Sequence, residues 1–325
     1  MPKKKQIFTV TDELNDIFSP AQPIKEKVDT TRLTISQALD TVSRQMEISG
    51  NRPRTIGDYN IHVNYFVKLT GLTYLDEINA DRIYEYLAKQ NVSNQSKLTR
   101  LKCIKAFLSR CFDNGWIKTR YWKTINVKVD NNVKEGATDK DIKVLLSVLD
   151  LNDFVQLRDA TAALLMYKTG IRINTIVHLE NRHIDFENKL LRLDGEIMKN
   201  HQQLLLPFDD TLHRLLTVLT KQNDAVRREY KEKNEYVFVT KFGGIVSNSA
   251  SHNNIQKRLN KYAKEYGLKN INPHALRRGF AKSLLSKGAN IVEISKALGH
   301  SNLAVTTQYL HLEKEEVAEN LRKFL

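Results

Sequence analysis

Cysteine is nearly absent from this chain. The 325 residues hold two, Cys103 and Cys111, and both fall in one stretch of helical periodicity. Eight residues of helix separate them by about 12 Å of rise, which is beyond the reach of a disulfide. A disulfide-stapled fold is excluded, and a reduced, intracellular setting is the expectation. Long apolar runs are missing too: none approaches the ~18 residues of a membrane span, so no membrane partner is expected. The opening MPKKKQIFTVTDELND has lysines but no apolar stretch or cleavage site behind them, so no secretory signal is read there. No P-loop, HExxH or CxxC pattern occurs, and neither a cofactor nor a metal is expected. Acidic residues are in deficit, 37 Asp+Glu against 51 Lys+Arg, for a net charge of +14. That surplus favours a polyanionic partner, because each phosphate neutralised by Lys or Arg releases counterions. Composition alone would also fit a merely basic soluble protein.

What is present argues for folded material. Hydrophobic residues make up 41% of the chain, with 12 Phe and 12 Tyr, and the length suits two domains. Residues 1–30 carry PKKK and a polar stretch with Pro20 and Pro23, and read as a basic N-terminal arm. Residues 31–121 read as about four helices. TISQALDTVSRQMEISG opens on a Thr or Ser cap and ends at Gly50, and Ile56, Tyr59, Val63 and Phe66 hold helical spacing up to Gly71. The last of the four places Leu101, Ile104, Leu108 and Cys111 on one face. Lys97, Arg100, Lys102, Lys105 and Arg110 lie mostly around the other, a face suited to a DNA groove or backbone or simply to solvent. Residues 122–137 lack periodicity and read as a linker.

Residues 138–325 form the second domain. Thr138 and Asp141 make a capping box ahead of IKVLLSVL. A helix over DFVQLRDATAALLMYKTG breaks at Gly170, and strand-like runs follow around Leu190–Leu193 and Gln203–Pro207. Then come a long helix, a short strand over EYVFVT, and helices to the end. The expected fold class is mainly α with a small β-sheet.

The chemistry-bearing residues concentrate in NPHALRRGFAKSLLSKGANIVEISKALGHSNLAVTTQYLHL. It holds His274 and Arg277 in His-x-x-Arg spacing, His300 in LGHS, and Tyr309 nine residues beyond. Upstream, TGIR places Arg172 at a loop-to-helix boundary, and MKN places Lys199 at the tip of an expected hairpin. With these pieces in this order over roughly 169–312, the chain resembles the tyrosine recombinases, the phage integrase family. The physical logic of the set also stands by itself. A phosphodiester repels nucleophiles and gains charge on its non-bridging oxygens in the transition state. Arg172 and Arg277 can neutralise that charge with forked bonds, and His300 can donate another. Tyr309 needs its phenolic proton removed, for which His274 is the candidate. Lys199 can protonate the departing 5′ hydroxyl, and a 3′-phosphotyrosine would store the bond for rejoining.

The resemblance implies a helical core-binding domain followed by a mixed α/β catalytic domain, closed as a clamp on double-stranded DNA at a specific site. It further implies inverted half-sites, self-association into dimers or tetramers on DNA, and work in the cytoplasm of a bacterial host at its nucleoid. VAENLRKFL at the C-terminus, with Val317, Leu321 and Phe324 on one side, would be the segment that packs into a neighbouring protomer or folds back on its own domain. One position departs from the family pattern. The residue three after the first arginine is usually acidic and here is Thr175, so Arg172 is expected to lack a charged brace. The chain also resembles, loosely, the recombinase-like repressors of SPβ-type prophages. The alternative function is therefore transcriptional repression by operator binding without strand cleavage.

Overall fold

The computed structural model describes residues 32–130, 134–198, 202–246, 254–300, 302–310 and 322. The arm at 1–30, Lys199 and the VAENLRKFL segment, Arg322 apart, lie outside them. The chain divides into two compact units, Met1–Asn131 and Asn132–Leu325, each with its own apolar core. The architecture is mainly helical with one three-stranded sheet.

The first unit holds α1 (Ile35–Ile48), α2 (Pro53–Thr70), α3 (Ala80–Ala88) and α4 (Asn94–Asp113). Local chemistry sets each boundary. Thr34 and Gln37 exchange capping bonds at the start of α1, which satisfies two of the amides a helix start leaves open. Asn79 and Ser93 cap α3 and α4 by accepting from the amides of Arg82 and Ser96. Proline opens α2 at Pro53, and left-handed Gly71 closes it. Ile35, Leu39, Val42 and Met46 on α1 meet Leu101, Ile104, Leu108 and Cys111 on α4 in the core, the apolar stripes their spacing predicts.

The segment read as a linker is anchored at both ends. Trp122 and Ile125 are buried in the first core, and Trp122 Nε1 donates to Ser109 Oγ at 3.2 Å. Ala137 belongs to the second core. These anchors escaped the sequence pattern because the single turn Tyr121–Thr124 offers no repeat to read.

The second unit contains α5 (Asp139–Val148), α6 (Phe154–Thr169), α7 (Ile173–Val177), α8 (Asp210–Tyr230), α9 (Asn254–Glu265), α10 (Pro273–Ser286), α11 (Ile291–Ala297) and α12 (Leu303–Leu310). From Leu157 to Tyr167, α6 is buried on every side, which marks it as the central helix. Helices α5, α8, α9 and α10 pack against it. Strands β1 (Ile184–Asp185), β2 (Leu190–Leu193) and β3 (Leu204–Pro207) form an antiparallel sheet in that order. Leu191, Leu193 and Leu206 point inward from it. The two-residue β1 is too short to leave a pattern in the sequence.

EYVFVT corrects one expectation. Among the described residues it makes only the isolated bridges Glu180↔Tyr236 and Val239↔Ile245, although Val237, Phe238 and Val239 are fully buried. Side chains take its carbonyls in place of a neighbouring strand. Asn223 Nδ2 donates to Val237 O at 2.7 Å, Arg158 Nη1 to Val239 O at 2.9 Å, and Arg227 Nη2 to Tyr236 O. Buried backbone needs partners: these three carbonyls find them on helices, while the Val237 amide donates to Leu179 O at 2.8 Å.

Candidate active site

The site grows from three helix boundaries in the second unit. Helix α6 stops because Gly170 adopts φ 68°, ψ 10°, a conformation that favours glycine. A Cβ there would also run into the Phe280 ring. Two residues later Arg172 stands at the N-cap of α7 in extended conformation, and its carbonyl accepts from the amides of Thr175 and Ile176 at 2.9 and 3.1 Å. The second boundary is the start of α10. Asn272 Oδ1 accepts from the Ala275 amide at 3.0 Å and Pro273 fills the first position. His274 and Arg277 then fall one turn apart on one face. The third is the end of α11, where Gly299 turns the chain at φ 59° and the His300 amide donates to Ser295 O at 3.0 Å.

Arg277 ties these boundaries together. It is 3% exposed, with Nη1 donating to Gly170 O and Nη2 to Leu298 O. Nη2 also reaches His300 Nε2 at 3.1 Å. Guanidinium has no acceptor, so His300 Nε2 is the acceptor in that contact. His300 Nδ1 lies 2.9 Å from Thr306 Oγ1, and Thr306 is wholly buried on α12. Tyr309 occupies the last turn of the same helix, three residues past Thr306.

The field of the cluster is positive. Burial, then Arg277 and Arg172, push the His300 pKa down to about 4, so the ring is neutral at pH 7. His274 is exposed overall, yet close neighbours surround its ring. The desolvation imposed by its neighbours lowers its pKa first, followed by Arg278, Arg277, Lys134 and Arg172. Arg172, Arg277, His274 and His300 are therefore gathered in one cationic site. His300 differs from expectation in one respect. Its Nε2 is turned to Arg277 as an acceptor, so it presents no donor there in this state.

Lys199 lies outside the described residues, in the connection between β2 and β3. The root of that connection is held on two sides. His183 Nε2 meets Asp194 Oδ2 at 3.1 Å, and Asp194 Oδ1 accepts from the amides of Glu196 and Ile197. Opposite, buried Thr175 directs Oγ1 toward Ile197 O at 3.5 Å and Met198 Sδ at 4.0 Å. The position that lacks an acid thus faces the root of the lysine-bearing connection.

Lys97, Arg100, Lys102 and Lys105 sit on α4 in the other unit, in different roles. Lys105 Nζ donates to Lys123 O at 3.1 Å and Ile125 O at 2.9 Å. Arg100 donates to Gln90 Oε1 at 3.0 Å and lies 4.6 Å over the Tyr65 ring. Lys102 is exposed. Thr306, Lys134 and Arg278 were not singled out in the sequence. For Thr306 the only available sign was a hydroxyl one helical turn before the tyrosine. Among the described residues no three His, Cys, Asp or Glu side chains are grouped to hold a metal.

The chain is 27% identical over 286 residues to the tyrosine recombinase XerC of Haemophilus influenzae strain PittEE, covering 86% of this chain and 91% of that one. Its fold matches the integrase of transposon Tn1549 in complex with a circular intermediate DNA (TM-score 0.69, 17% identity, 88% of this chain and 99% of that one). It also matches a lambda integrase dimer bound to a core site (TM-score 0.64, 14% identity, 92% and 84%). The phage integrase family model matches residues 137–316, more than half of the sequence and nearly all of the second unit, and the chain belongs to that family, the tyrosine recombinases.

Proposed function

We propose that the protein is a site-specific recombinase that cleaves and rejoins duplex DNA through Tyr309. The observation that carries this reading is the convergence of Arg172, Arg277, His274 and His300 in one cationic site, with the tyrosine helix bonded to it through Thr306. Arg172 and Arg277 hold the non-bridging oxygens of the scissile phosphate and neutralise the charge that grows there. The lowered pKa of His274 keeps its ring neutral and able to take the phenolic proton as Tyr309 Oη attacks phosphorus. The bond to the 5′ oxygen breaks, Lys199 gives that oxygen a proton, and a 3′-phosphotyrosine remains. Attack by a 5′ hydroxyl, with protons moving in reverse, frees the tyrosine and rejoins DNA. The bond energy is retained throughout, so no nucleotide cofactor is called for.

Duplex DNA as the partner is supported by the net charge of +14 and by the fold relatives bound to DNA. The lambda integrase relative is a dimer on its site, which supports pairing of protomers on inverted half-sites here. The test is a denaturing gel on a nicked suicide substrate carrying a site recovered by binding selection. The wild type should yield a covalent adduct, and Tyr309→Phe should lower it by at least about 10³-fold with binding intact. Site-specific binding with no wild-type adduct would overturn strand transfer and leave operator binding as the function of the fold.

A further inference from the structure

His300 presents a chemical problem. Its Nε2 accepts from Arg277 Nη2 at 3.1 Å, and both protons of Nη2 are accounted for, one on Leu298 O and one on His300. The ring is neutral, so its single N–H sits on Nδ1 and donates to Thr306 Oγ1 at 2.9 Å. To hold a phosphate oxygen the same ring must instead present Nε2–H, which strips Nδ1 of its proton. A bare Nδ1 facing a buried position needs a donor, and Thr306, fully buried, is the group it faces.

We propose that Thr306 is a positioning residue whose hydroxyl holds His300 in place in both neutral tautomers, accepting from Nδ1–H while Nε2 faces Arg277 and donating to bare Nδ1 when Nε2–H faces a phosphate oxygen. The change is balanced: one proton leaves Nδ1 for water, one is taken up at Nε2, and the ring stays uncharged. Only the hydroxyl rotor turns. A carbonyl or carboxylate at this position would lock the first tautomer, because neither can donate. A hydroxyl serves both states without moving the ring, and because it belongs to α12, the same bond docks the helix that carries Tyr309. Arg277 is released from His300 in the second state, and the Nη2–H that it had donated to the ring becomes available to the phosphate. Filling the site with an anion and tightening Arg277 on it are then one event. The inference rests on the recombinase reading for its catalytic use, but the resting tautomer does not depend on it.

The experiment compares wild type, Thr306→Val and Thr306→Ser as full-length proteins, with two readouts. In ¹⁵N spectra of the histidine rings, assigned with His300→Gln, free wild type should show His300 as the Nδ1–H tautomer. Its complex with uncleaved site DNA, made with Tyr309→Phe, should show the Nε2–H tautomer. In the covalent-adduct assay, Thr306→Val should slow adduct formation about 10- to 100-fold, by analogy with the loss of a hydrogen bond that orients a metal-ligating histidine. Thr306→Ser should restore both readouts, which a packing role for the threonine methyl would not allow. The proposal is overturned if free wild type already shows Nε2–H, if Thr306→Val forms adduct at the wild-type rate, or if serine behaves as valine does. A wild type that forms no adduct while showing the stated resting tautomer would sink the recombinase reading and the catalytic role of Thr306 with it, yet leave the His300–Thr306 bond established. Failure of the one is therefore separable from failure of the other.

Discussion

Two buried arginines in the second unit have opposite surroundings. Arg158 is paired with Asp159 at 2.7 Å, and Asp159 is also met by Arg258 and, at 3.0 Å, by the Tyr262 hydroxyl. This charge network is closed on itself, and its members link α6, α9 and the EYVFVT segment. Arg277 is equally buried but bonds to the carbonyls of Gly170 and Leu298 and to neutral His300. Carbonyl dipoles hold a guanidinium in place without cancelling its charge. The remaining field is felt by its neighbours, since Arg277 and Arg172 both help to lower the His300 pKa. The same side chain thus acts as a rivet in one place and, in the proposed function, as half of an anion site in the other. Among these contacts, the first arginine is met by a carboxylate and the second by carbonyls and a neutral ring.

The contrast is most severely broken at Asp159. Asp159→Ala leaves Arg158, 3% exposed, without its counter-charge and removes the acceptor of Arg258 and Tyr262. Deleting one partner of a buried ion pair costs about 3–5 kcal/mol, so denaturant midpoints should fall sharply. Whatever folded protein remains should keep its specific DNA contacts. A variant of wild-type stability would show that the network does not hold the fold.

The next effect is on pH, and it belongs to the anion site. His300 has a folded pKa of about 4 against an unfolded value near ~6.5. Between those values the unfolded chain binds a proton that the folded one refuses. Stability therefore drops as pH falls from about 6.5 to about 4. His274 and, in the first unit, His62 shift in the same direction. The lowered carboxylates, such as Asp185 and Asp194, act lower down, through the carboxylate range. Urea unfolding across this window should show the loss, and His300→Gln should shrink it. An unchanged slope would mean that His300 is not held neutral.

Much of this was legible in the sequence where the causes are local. Thr34 with Gln37 and Thr138 with Asp141 are capping boxes four residues long, and Gly71 and Gly170 stop helices at the residue where they stand. The apolar stripes of α1 and α4 repeat often enough to be read. His274 and Arg277 could be placed on one face because one turn separates them. The tie that runs from Gly170, two residues before Arg172, through Arg277 to His300 spans more than a hundred residues, and only the family resemblance suggested that these segments meet. Other features had no local sign. Val237–Val239 read as a strand from its apolar run, yet its carbonyl partners Arg158 and Asn223 lie on two helices elsewhere. Thr306 was not singled out, because its contact depends on where His300 sits. Thr175 was expected to fail as a brace for Arg172, and in the fold it is packed against Ile197 and Met198.

The smallest expected effects separate the lysines of α4, which the sequence grouped as one basic face. Lys105 is committed inside its own unit, bonded to the carbonyls of Lys123 and Ile125, the same turn that buries Trp122. Lys105→Met keeps the aliphatic stem and removes two hydrogen bonds, so it should cost about 1–2 kcal/mol of stability. The salt dependence of DNA binding should stay as it was, because that ammonium is occupied by the protein. Lys102 is exposed, and Lys102→Met should change stability by less than about 0.5 kcal/mol. If α4 lies on the DNA backbone, its effect appears instead in the slope of log affinity against log salt, which becomes shallower by about 0.9 when one ammonium–phosphate pair is removed. Parallel urea melts and salt titrations of the two variants make the comparison. A slope that changes with Lys105 and not with Lys102 would reverse the assignment, and no change with either would mean that this face of α4 meets solvent.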